Sequence, residues 1–173
     1  KSYKKRDEVR PKFDEKKVTS IRLSKILINL SQAKHEILDC FCGNGTILQE
    51  SLLLGLNVCG SDVNISEARE NLSWLDKNFN IKNKHRLFQV DARNISRYIN
   101  EVEVVVTEPY LGPYLKKYPS SQEAKKIIIN LQNLYKKVFL ELDKITNRIV
   151  IIFPILITKN KERFKINVNS LLI

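Results

Sequence analysis

Four short apolar runs in the sequence each end in acidic residues. The residues that close these runs are Asp39, Asp62, Asp91 and the pair Thr107-Glu108. Carboxylate oxygens accept hydrogen bonds from the hydroxyl and amino groups of a ligand. If the runs are parallel strands, their carboxyl ends meet at one edge of the sheet, where such sheets bind ligands. The positions of these acids therefore predict a polar binding site at that edge.

A loop of small residues, CFCGNGT at residues 40–46, follows the first run. Gly43 and Gly45 would let a ligand approach the backbone where the next helix begins. The two glycines alone fit a tight turn as well as a nucleotide or cofactor site. Asp62 follows roughly twenty residues later, where dinucleotide-type folds place the acid that binds ribose hydroxyls. Its alternative role is a helix cap, for which Asn64 and Ser66 are better placed.

Strand patterns alternate with helical patterns along the chain. They predict strands over 35–41, 57–64, 85–92, 101–110, 147–158 and 163–173, the last at a sheet edge, and helices over 18–30, 43–55, 65–79 and 122–145. Strands that alternate with helices are parallel and are joined by right-handed crossovers. We therefore expect an α/β fold, namely a doubly wound Rossmann-like sheet, mostly parallel, with helices on both faces.

The length of 173 residues fits one such domain, which we assign to 18–173. Residues 1–17 are polar and charged and predict a basic linker from an upstream region that is missing, since the chain begins with Lys and has no Met. Thirty Lys and Arg against 19 Asp and Glu give a net charge of +11, which favours contact with nucleic acid. A solvated basic surface is the alternative explanation.

Composition also excludes several classes of protein. The chain has no apolar run of about eighteen residues and no signal-like N-terminus, so we expect a cytoplasmic protein without membrane contact. Its cysteines, Cys40, Cys42 and Cys59, are odd in number and predict buried, reduced thiols. No His or Cys pair at ligand spacing completes a zinc site, so no metal is expected.

The glycine loop and the acids that end the second and third runs together resemble the first three motifs of the class I S-adenosylmethionine-dependent methyltransferases. The stretch DCFCGNGTILQE, residues 39–50, resembles the D-P-F-C-G-T-G-T-I-x-x-E motif of the archaeal and eukaryotic tRNA guanosine N2-methyltransferases, whose catalytic domain follows an RNA-binding THUMP domain. The segment VTSIRLSKILINLS is similar to the one that precedes this motif in that family. The resemblance covers most of residues 11–153.

This resemblance implies that S-adenosylmethionine is the cofactor and S-adenosylhomocysteine the product. Asp39, Gly43 and Gly45 would border the methionine part of the cofactor, Asp62 the ribose, and Asp91, which alone is also typical of a turn, the adenine. The full set of expected cofactor-binding residues is Asp39, Cys42, Gly43, Gly45, Thr46, Asp62, Val63, Asp91 and Ala92. Binding of NAD is the competing interpretation, but the loop lacks the third glycine of the dinucleotide fingerprint.

The segment TEPYLGP, residues 107–113, resembles the fourth motif of amino-methyltransferases, D-P-P-Y or N-P-P-Y. In that motif an acceptor side chain and a backbone carbonyl hold the hydrogens of an aryl amine while its nitrogen attacks the methyl group. The aromatic residue stacks on the extruded base. Thr107, Glu108, Pro109 and Tyr110 are therefore the expected catalytic residues. The alignment leaves Thr107 and Glu108 both open as the acceptor, and we favour Glu108 because it supplies a carboxylate.

The loop after this motif mixes aromatic and basic residues: Tyr114, Lys116, Lys117 and Tyr118. Such a mixture suits a nucleic-acid substrate, although each tyrosine could equally cover the sheet edge.

We therefore expect the transfer of a methyl group to an exocyclic amino group of a base, with N2 of a guanosine in tRNA as the favoured target. A DNA or RNA adenine N6-methyltransferase is one alternative, and a noncatalytic RNA-binding scaffold is another. The expected partners are tRNA, an upstream RNA-binding domain and a small activating subunit.

Overall fold

The computed structural model describes residues 9–12 and 19–171. Its helices are α1 (Ile21–Ser31), α2 (Thr46–Leu53), α3 (Ser66–Asn78) and α4 (Ser121–Leu142). The strands are β1 (Glu36–Asp39), β2 (Asn57–Asp62), β3 (His85–Gln89), β4 (Val104–Thr107), β5 (Ile149–Ile151), β6 (Ile155–Ile157) and β7 (Arg163–Lys165). Two 3₁₀ helices, η1 (Ala92–Arg97) and η2 (Val168–Ser170), complete the described secondary structure.

Five parallel strands form the central sheet in the order β3-β2-β1-β4-β5. The chain moves outward from β1 to β3 and then returns to place β4 on the other side of β1. The strand order therefore reverses between β1 and β4, and a crevice at this position is where doubly wound sheets bind ligands. The predicted α/β fold with a Rossmann-like parallel sheet is confirmed.

Apolar side chains cover both faces of the sheet, as the continuous apolar runs of its strands require. Ile37 and Val104 point to the face that packs against α1, α2 and α3. Leu38 and Val105, their neighbours in sequence, point to the opposite face, which packs against α4 and η1. Because successive strand residues alternate between faces, each short strand contributes to two cores.

Local side-chain caps fix the starts of two helices. The Ser20 hydroxyl accepts a hydrogen bond from the backbone N–H of Leu23 at the start of α1. Ser120 and Glu123 form a reciprocal capping box at the start of α4. Within residues 9–12 and 19–171, the helices lack the combination of length and apolarity that spanning a bilayer requires.

The last two strand predictions are wrong. Residues 147–158 do not form one strand, because β5 ends at Ile151 and β6 belongs to a separate two-stranded antiparallel sheet with β7. Pro154 lies between them and has no backbone N–H to donate to a strand ladder. Of the expected edge strand over 163–173, the described residues 163–171 contain only the strand β7, which pairs with β6 instead of the main sheet. A hairpin thus follows the carboxyl end of β5.

Gly60, in β2, packs closely against side chains of α2 and β3. A Cβ atom there would lie 2.5 Å from Leu48 Cδ1 and 2.8 Å from Leu87 Cδ2. We expect Gly60→Ala to lower the free energy of unfolding by about 1 to 3 kcal/mol, because the core around it is closely packed. Urea unfolding measures this loss, and adding Leu48→Val, which removes the nearer methyl group, should recover part of it. A single variant as stable as the wild type would contradict the packing described.

Candidate active site

Asp39 lies at the carboxyl end of β1 and is buried. Its Oδ1 accepts hydrogen bonds from the Thr107 hydroxyl at 2.6 Å and from the Phe41 backbone N–H at 3.2 Å. Burial raises the pKa of Asp39 from 3.8 to about 7, the two hydrogen bonds oppose this shift, and the charges of Asp62 and Glu108 add to it. The carboxyl ends of three strands therefore bring these three acids within electrostatic reach of one another.

The glycine loop connects β1 to α2 in a conformation that needs its glycines. Gly43 and Gly45 have φ of 51° and 83°, in the left-handed region that favours glycine. A Cβ at Gly45 would lie 3.4 Å from Ala68, whereas a Cβ at Gly43 would meet no atom within 4 Å. Cys42 accepts a hydrogen bond from the Gly45 N–H at 2.7 Å through its carbonyl, which closes the turn. The loop thus packs against α3 at Gly45 and is open at Gly43.

Asp62 joins the end of β2 to this loop. Its Oδ2 accepts a hydrogen bond from the Gly43 N–H at 2.9 Å, and its Oδ1 accepts one from the Asn64 N–H at 3.2 Å. A carboxylate can accept about four hydrogen bonds, so Asp62 keeps acceptor sites for a ligand. Val63, which follows it, is exposed.

Asp91 caps η1 through a hydrogen bond from the Arg93 backbone N–H. The Arg93 guanidinium also donates to both oxygens of Asp91, at 2.9 and 2.5 Å. These bonds hold the pKa of Asp91 below its ordinary value, the side-chain hydrogen bond being the main cause. Three of about four acceptor sites are therefore used, which leaves one on Oδ2. Ala92, the next residue, is buried at the start of η1.

The two alternatives for the amine acceptor differ in their surroundings. Thr107 is fully buried and its hydroxyl donates to Asp39. Glu108 is half-buried, and its Oε2 atom is buried without a hydrogen-bond partner among the described residues. A buried carboxylate oxygen without a partner is costly unless a ligand supplies a donor. This difference favours Glu108 over Thr107 as the residue that faces a substrate.

The next two residues of the motif, Pro109 and Tyr110, begin the loop that follows β4 and differ in exposure. Pro109 is buried, whereas Tyr110 is 55% exposed. The Tyr110 carbonyl accepts a hydrogen bond at 2.7 Å from the hydroxyl of Tyr135, a buried residue of α4. Tyr135 stacks in turn at a tilt against Phe153. Sequence reasoning did not identify Tyr135, whose place in the helical pattern indicates only a core residue.

Sequence reasoning also missed the contacts that the described residues 9–12 make with the glycine loop. Arg10 is buried, and its Nη1 donates to the Thr46 hydroxyl at 2.8 Å. The buried side chain of Asn71 accepts from the Lys12 N–H and donates to the carbonyls of Lys12 and Asn44. The one available signal was a polar residue on the apolar face of α3. The rest of the predicted linker, residues 1–8 and 13–17, lies outside the described residues.

The three cysteines near the site are buried free thiols. Burial raises the pKa of the Cys40, Cys42 and Cys59 thiols, to about 12 for Cys59. Thiols with such values remain protonated and are poor nucleophiles and metal ligands. Among the residues that the structure describes, no cluster of three or more His, Cys, Asp or Glu side chains could hold a metal ion.

The raised pKa of Asp39 gives a prediction for stability. Its folded pKa exceeds its unfolded value, so the folded state binds more protons between 3.8 and about 7 and stability falls as pH rises through that range. Asp39→Asn keeps an acceptor for Thr107 and removes the titration. We expect its stability relative to the wild type to increase from about pH 4 to about pH 7, by a few kcal/mol, roughly 1.4 for each unit of pKa shift.

Asp91→Asn is the matched control, because the pKa of Asp91 is lowered and its stabilising pair is lost as pH falls. The difference in stability between this variant and the wild type should be larger at neutral pH than at acidic pH. Chemical denaturation between pH 4 and 8 measures both differences. Slopes of the same sign in the two variants would contradict the assigned environments.

No protein-family model matches the chain. Two curated proteins match part of it, and both are named tRNA (guanine(10)-N2)-dimethyltransferase. The protein of Methanothermobacter thermautotrophicus is 36% identical over an alignment of 98 residues, and the match covers 54% of this chain and 27% of that protein. The protein of Methanocaldococcus jannaschii is 29% identical over an alignment of 123 residues, and the match covers 66% of this chain and 34% of that protein. The chain thus spans about a third or less of each of these curated relatives.

Among solved structures, the crystal structure of TrmN from Thermus thermophilus is similar, with a TM-score of 0.54 and 20% identity. The match covers 73% of this chain and 35% of that chain, and at this identity it bears on the fold alone. The chain therefore has the fold of the class I S-adenosylmethionine-dependent methyltransferases, and its resemblance to the archaeal tRNA guanosine N2-methyltransferases is confirmed.

Proposed function

We propose that the chain transfers a methyl group from S-adenosylmethionine to an exocyclic amino group of an RNA base, and that this group is N2 of a guanosine in tRNA. The observation that carries the proposal is the Glu108 carboxylate, whose buried Oε2 has no described partner. It follows β4 directly and precedes Pro109 and the exposed Tyr110. A carboxylate acceptor beside an exposed aromatic ring is what an aryl amine on an extruded base requires.

The residues at the carboxyl edge of the sheet fit the methionine, ribose and sulfonium parts of S-adenosylmethionine. The open side of Gly43 leaves room for a ligand against the backbone, and Asp62 keeps acceptor sites for ribose hydroxyls. The negative charges of Asp39, Asp62 and Glu108 suit a cofactor that carries a positive charge near its methyl group. Asp91 fits less freely, since the Arg93 side chain leaves it one acceptor site for an adenine amino group.

S-adenosylmethionine supplies, when bound, a methyl group made electrophilic by its sulfonium. The chain's own residues prepare the amine. Glu108 accepts a hydrogen bond from the amine and then the proton that the nitrogen releases as its bond to the methyl carbon forms. The bond from that carbon to sulfur would break at the same time, with its electron pair retained by S-adenosylhomocysteine. The exposed Tyr110 ring stacks on the base, and the hydrogen bond from Tyr135 holds the loop in place. Thr107 contributes by orienting Asp39 rather than by touching the amine.

The substrate part of the proposal draws on charge and on the relatives. A net charge of +11 favours a polyanionic substrate through phosphate contacts. Both curated relatives are named for N2 of a guanine in tRNA. We therefore propose guanine as the base and N2 as its methylated amino group. The upstream RNA-binding domain, the activating subunit and the cytoplasmic location stay predictions.

Replacement of Glu108 tests this proposal most directly. Glu108→Gln keeps the size of the side chain but removes the charge that accepts the proton, so we expect kcat to fall by about a hundredfold or more. The affinity for S-adenosylmethionine should fall much less than kcat does, since the glycine loop, Asp39 and Asp62 remain and only one of the three negative charges is lost. The assay incubates the full chain with undermodified tRNA and labelled cofactor, and digestion to nucleosides identifies the methylated base.

Glu101→Gln is the matched control, because Glu101 is exposed and precedes β4 at the opposite end of that strand. It should methylate tRNA at the wild-type rate. Equal activity of the Glu108 and Glu101 variants would exclude Glu108 from the chemistry. In a parallel assay with DNA in place of tRNA, label found in adenine of the DNA and absent from the tRNA would overturn the proposed substrate.

A further inference from the structure

A basic and aromatic surface extends from the Tyr110 loop across the β6–β7 hairpin. We call it the loop–hairpin surface and define it by residues 110–119, 121–126 and 155–165. The loop starts two residues after Glu108, and the hairpin follows the carboxyl end of β5. A hydrogen bond from the Ser121 hydroxyl to Glu162 joins the start of α4 to the hairpin. The surface therefore continues directly from the candidate active site.

Positive charge dominates this surface. It carries eight exposed cationic side chains, Lys116, Lys117, Lys125, Lys126, Lys159, Lys161, Arg163 and Lys165. Its two acids are Glu123 and Glu162, and both accept hydrogen bonds from neighbouring serines. None of the eight cations forms an ion pair within residues 9–12 and 19–171. Their charge is therefore directed to solvent or to a ligand.

Apolar and aromatic side chains are exposed between these charges. Tyr114 is 76% exposed and Tyr118 is 72% exposed. In the hairpin, Ile155 lies opposite Lys165 and Ile157 lies opposite Arg163, so these four residues share one face. The two isoleucines are 58% and 42% exposed, although apolar residues of a strand usually face a core.

A groove of about 400 Å³ lies between the loop and β6. It is lined by residues 115–119 on one side and by residues 155–157 on the other. The groove thus has an aromatic and basic wall facing an apolar wall. A flat base fits between such walls, while its phosphates reach the flanking cations.

Packing beneath the surface holds it in place. Pro119 is buried at the end of the loop. A Cβ at Gly112 would lie 3.2 Å from Ile127 Cγ2, so the loop packs closely against α4. The Tyr135 hydroxyl fixes the start of the loop, and the Tyr135 ring packs against Phe153 just before the hairpin. A preformed surface of this kind loses little entropy on binding.

We propose that the loop–hairpin surface binds the single-stranded RNA segment next to the target base. Tyr118 and the hairpin isoleucines contact an unstacked base in the groove, and the cations contact phosphates. This inference rests on the proposed function for the position of the target base. Charge complementarity favours a polyanion over an uncharged protein surface, since the eight cations have no acidic partners among the described residues, and RNA is the polyanion that the proposed function brings to the adjoining site.

The first test removes two cations from the hairpin face. Arg163→Ala/Lys165→Ala should weaken binding of a single-stranded RNA oligonucleotide to the full chain roughly tenfold or more at 0.1 M salt. The slope of log affinity against log salt should become shallower by about 1.4, since each phosphate contact contributes about 0.7 for a single strand. Fluorescence anisotropy at several salt concentrations measures both quantities.

Lys136→Ala/Lys137→Ala is the matched control. Both residues are exposed on α4, about 24 Å along the helix axis from its start. This variant removes the same charge and should leave RNA affinity and its salt slope nearly unchanged. An equal loss in the two double variants, or no loss in the hairpin variant, overturns the proposal. A larger loss of affinity for duplex RNA than for single-stranded RNA in the hairpin variant also overturns it.

The second test concerns the aromatic wall. Tyr118→Ala should weaken single-stranded RNA binding about tenfold, because the ring that stacks on a base is lost, whereas Tyr118→Phe should bind as the wild type does. Equal binding by the two variants would contradict base stacking there.

Cofactor affinity and methylation separate this proposal from the proposed function. We expect the hairpin variant to bind S-adenosylmethionine as the wild type does, and to methylate tRNA with a raised KM and nearly unchanged kcat. If the hairpin variant methylates tRNA with a wild-type KM, the proposed role of the loop–hairpin surface is overturned and the proposed function is unaffected. Failure of the wild-type chain to methylate RNA, with hairpin-dependent RNA binding intact, would instead contradict the proposed function.

Discussion

The hydrogen bond between the Thr107 hydroxyl and the Asp39 carboxylate joins the carboxyl ends of the two central strands. It lies where the strand order reverses, at the crevice that a doubly wound sheet offers to a ligand. The glycine loop starts from one of these strands and the Glu108 loop from the other. Their mutual position therefore depends on this contact and on the β1–β4 pairing beneath it.

The acids at the sheet edge differ because each has different neighbours. Asp39 is buried with a raised pKa, Asp62 holds the Gly43 backbone, and Asp91 is paired with Arg93. The Glu108 Oε2 atom has no such partner within the described residues. Like charges gathered at one edge repel one another, and hydrogen bonds to the other acids offset part of that cost. A bound cation would offset more, which is consistent with a sulfonium cofactor.

Much of the fold follows from the sequence, because buried parallel strands and amphipathic helices leave strong local patterns. The acids that end the strands and the two glycines were identified for the same reason. The end of β5 could have been predicted from Pro154, whereas the pairing of β6 with β7 could not, since it joins residues of a separate hairpin whose position depends on packing against α4. The contacts of Arg10, Asn71 and Tyr135 join residues distant in sequence, so no local pattern reveals them. The choice between Thr107 and Glu108 likewise needed their surroundings.

The central claim is that these acids form a site for a positively charged cofactor. Calorimetric titration of the full chain with S-adenosylmethionine and with S-adenosylhomocysteine, at pH 6 and pH 8, tests it most directly. The two ligands differ by the methyl group and its positive charge, and Asp39 ionises with a pKa of about 7. The account predicts that the affinity ratio favours S-adenosylmethionine several-fold more at pH 8 than at pH 6. No binding of either ligand, or a ratio that does not change with pH, would contradict it.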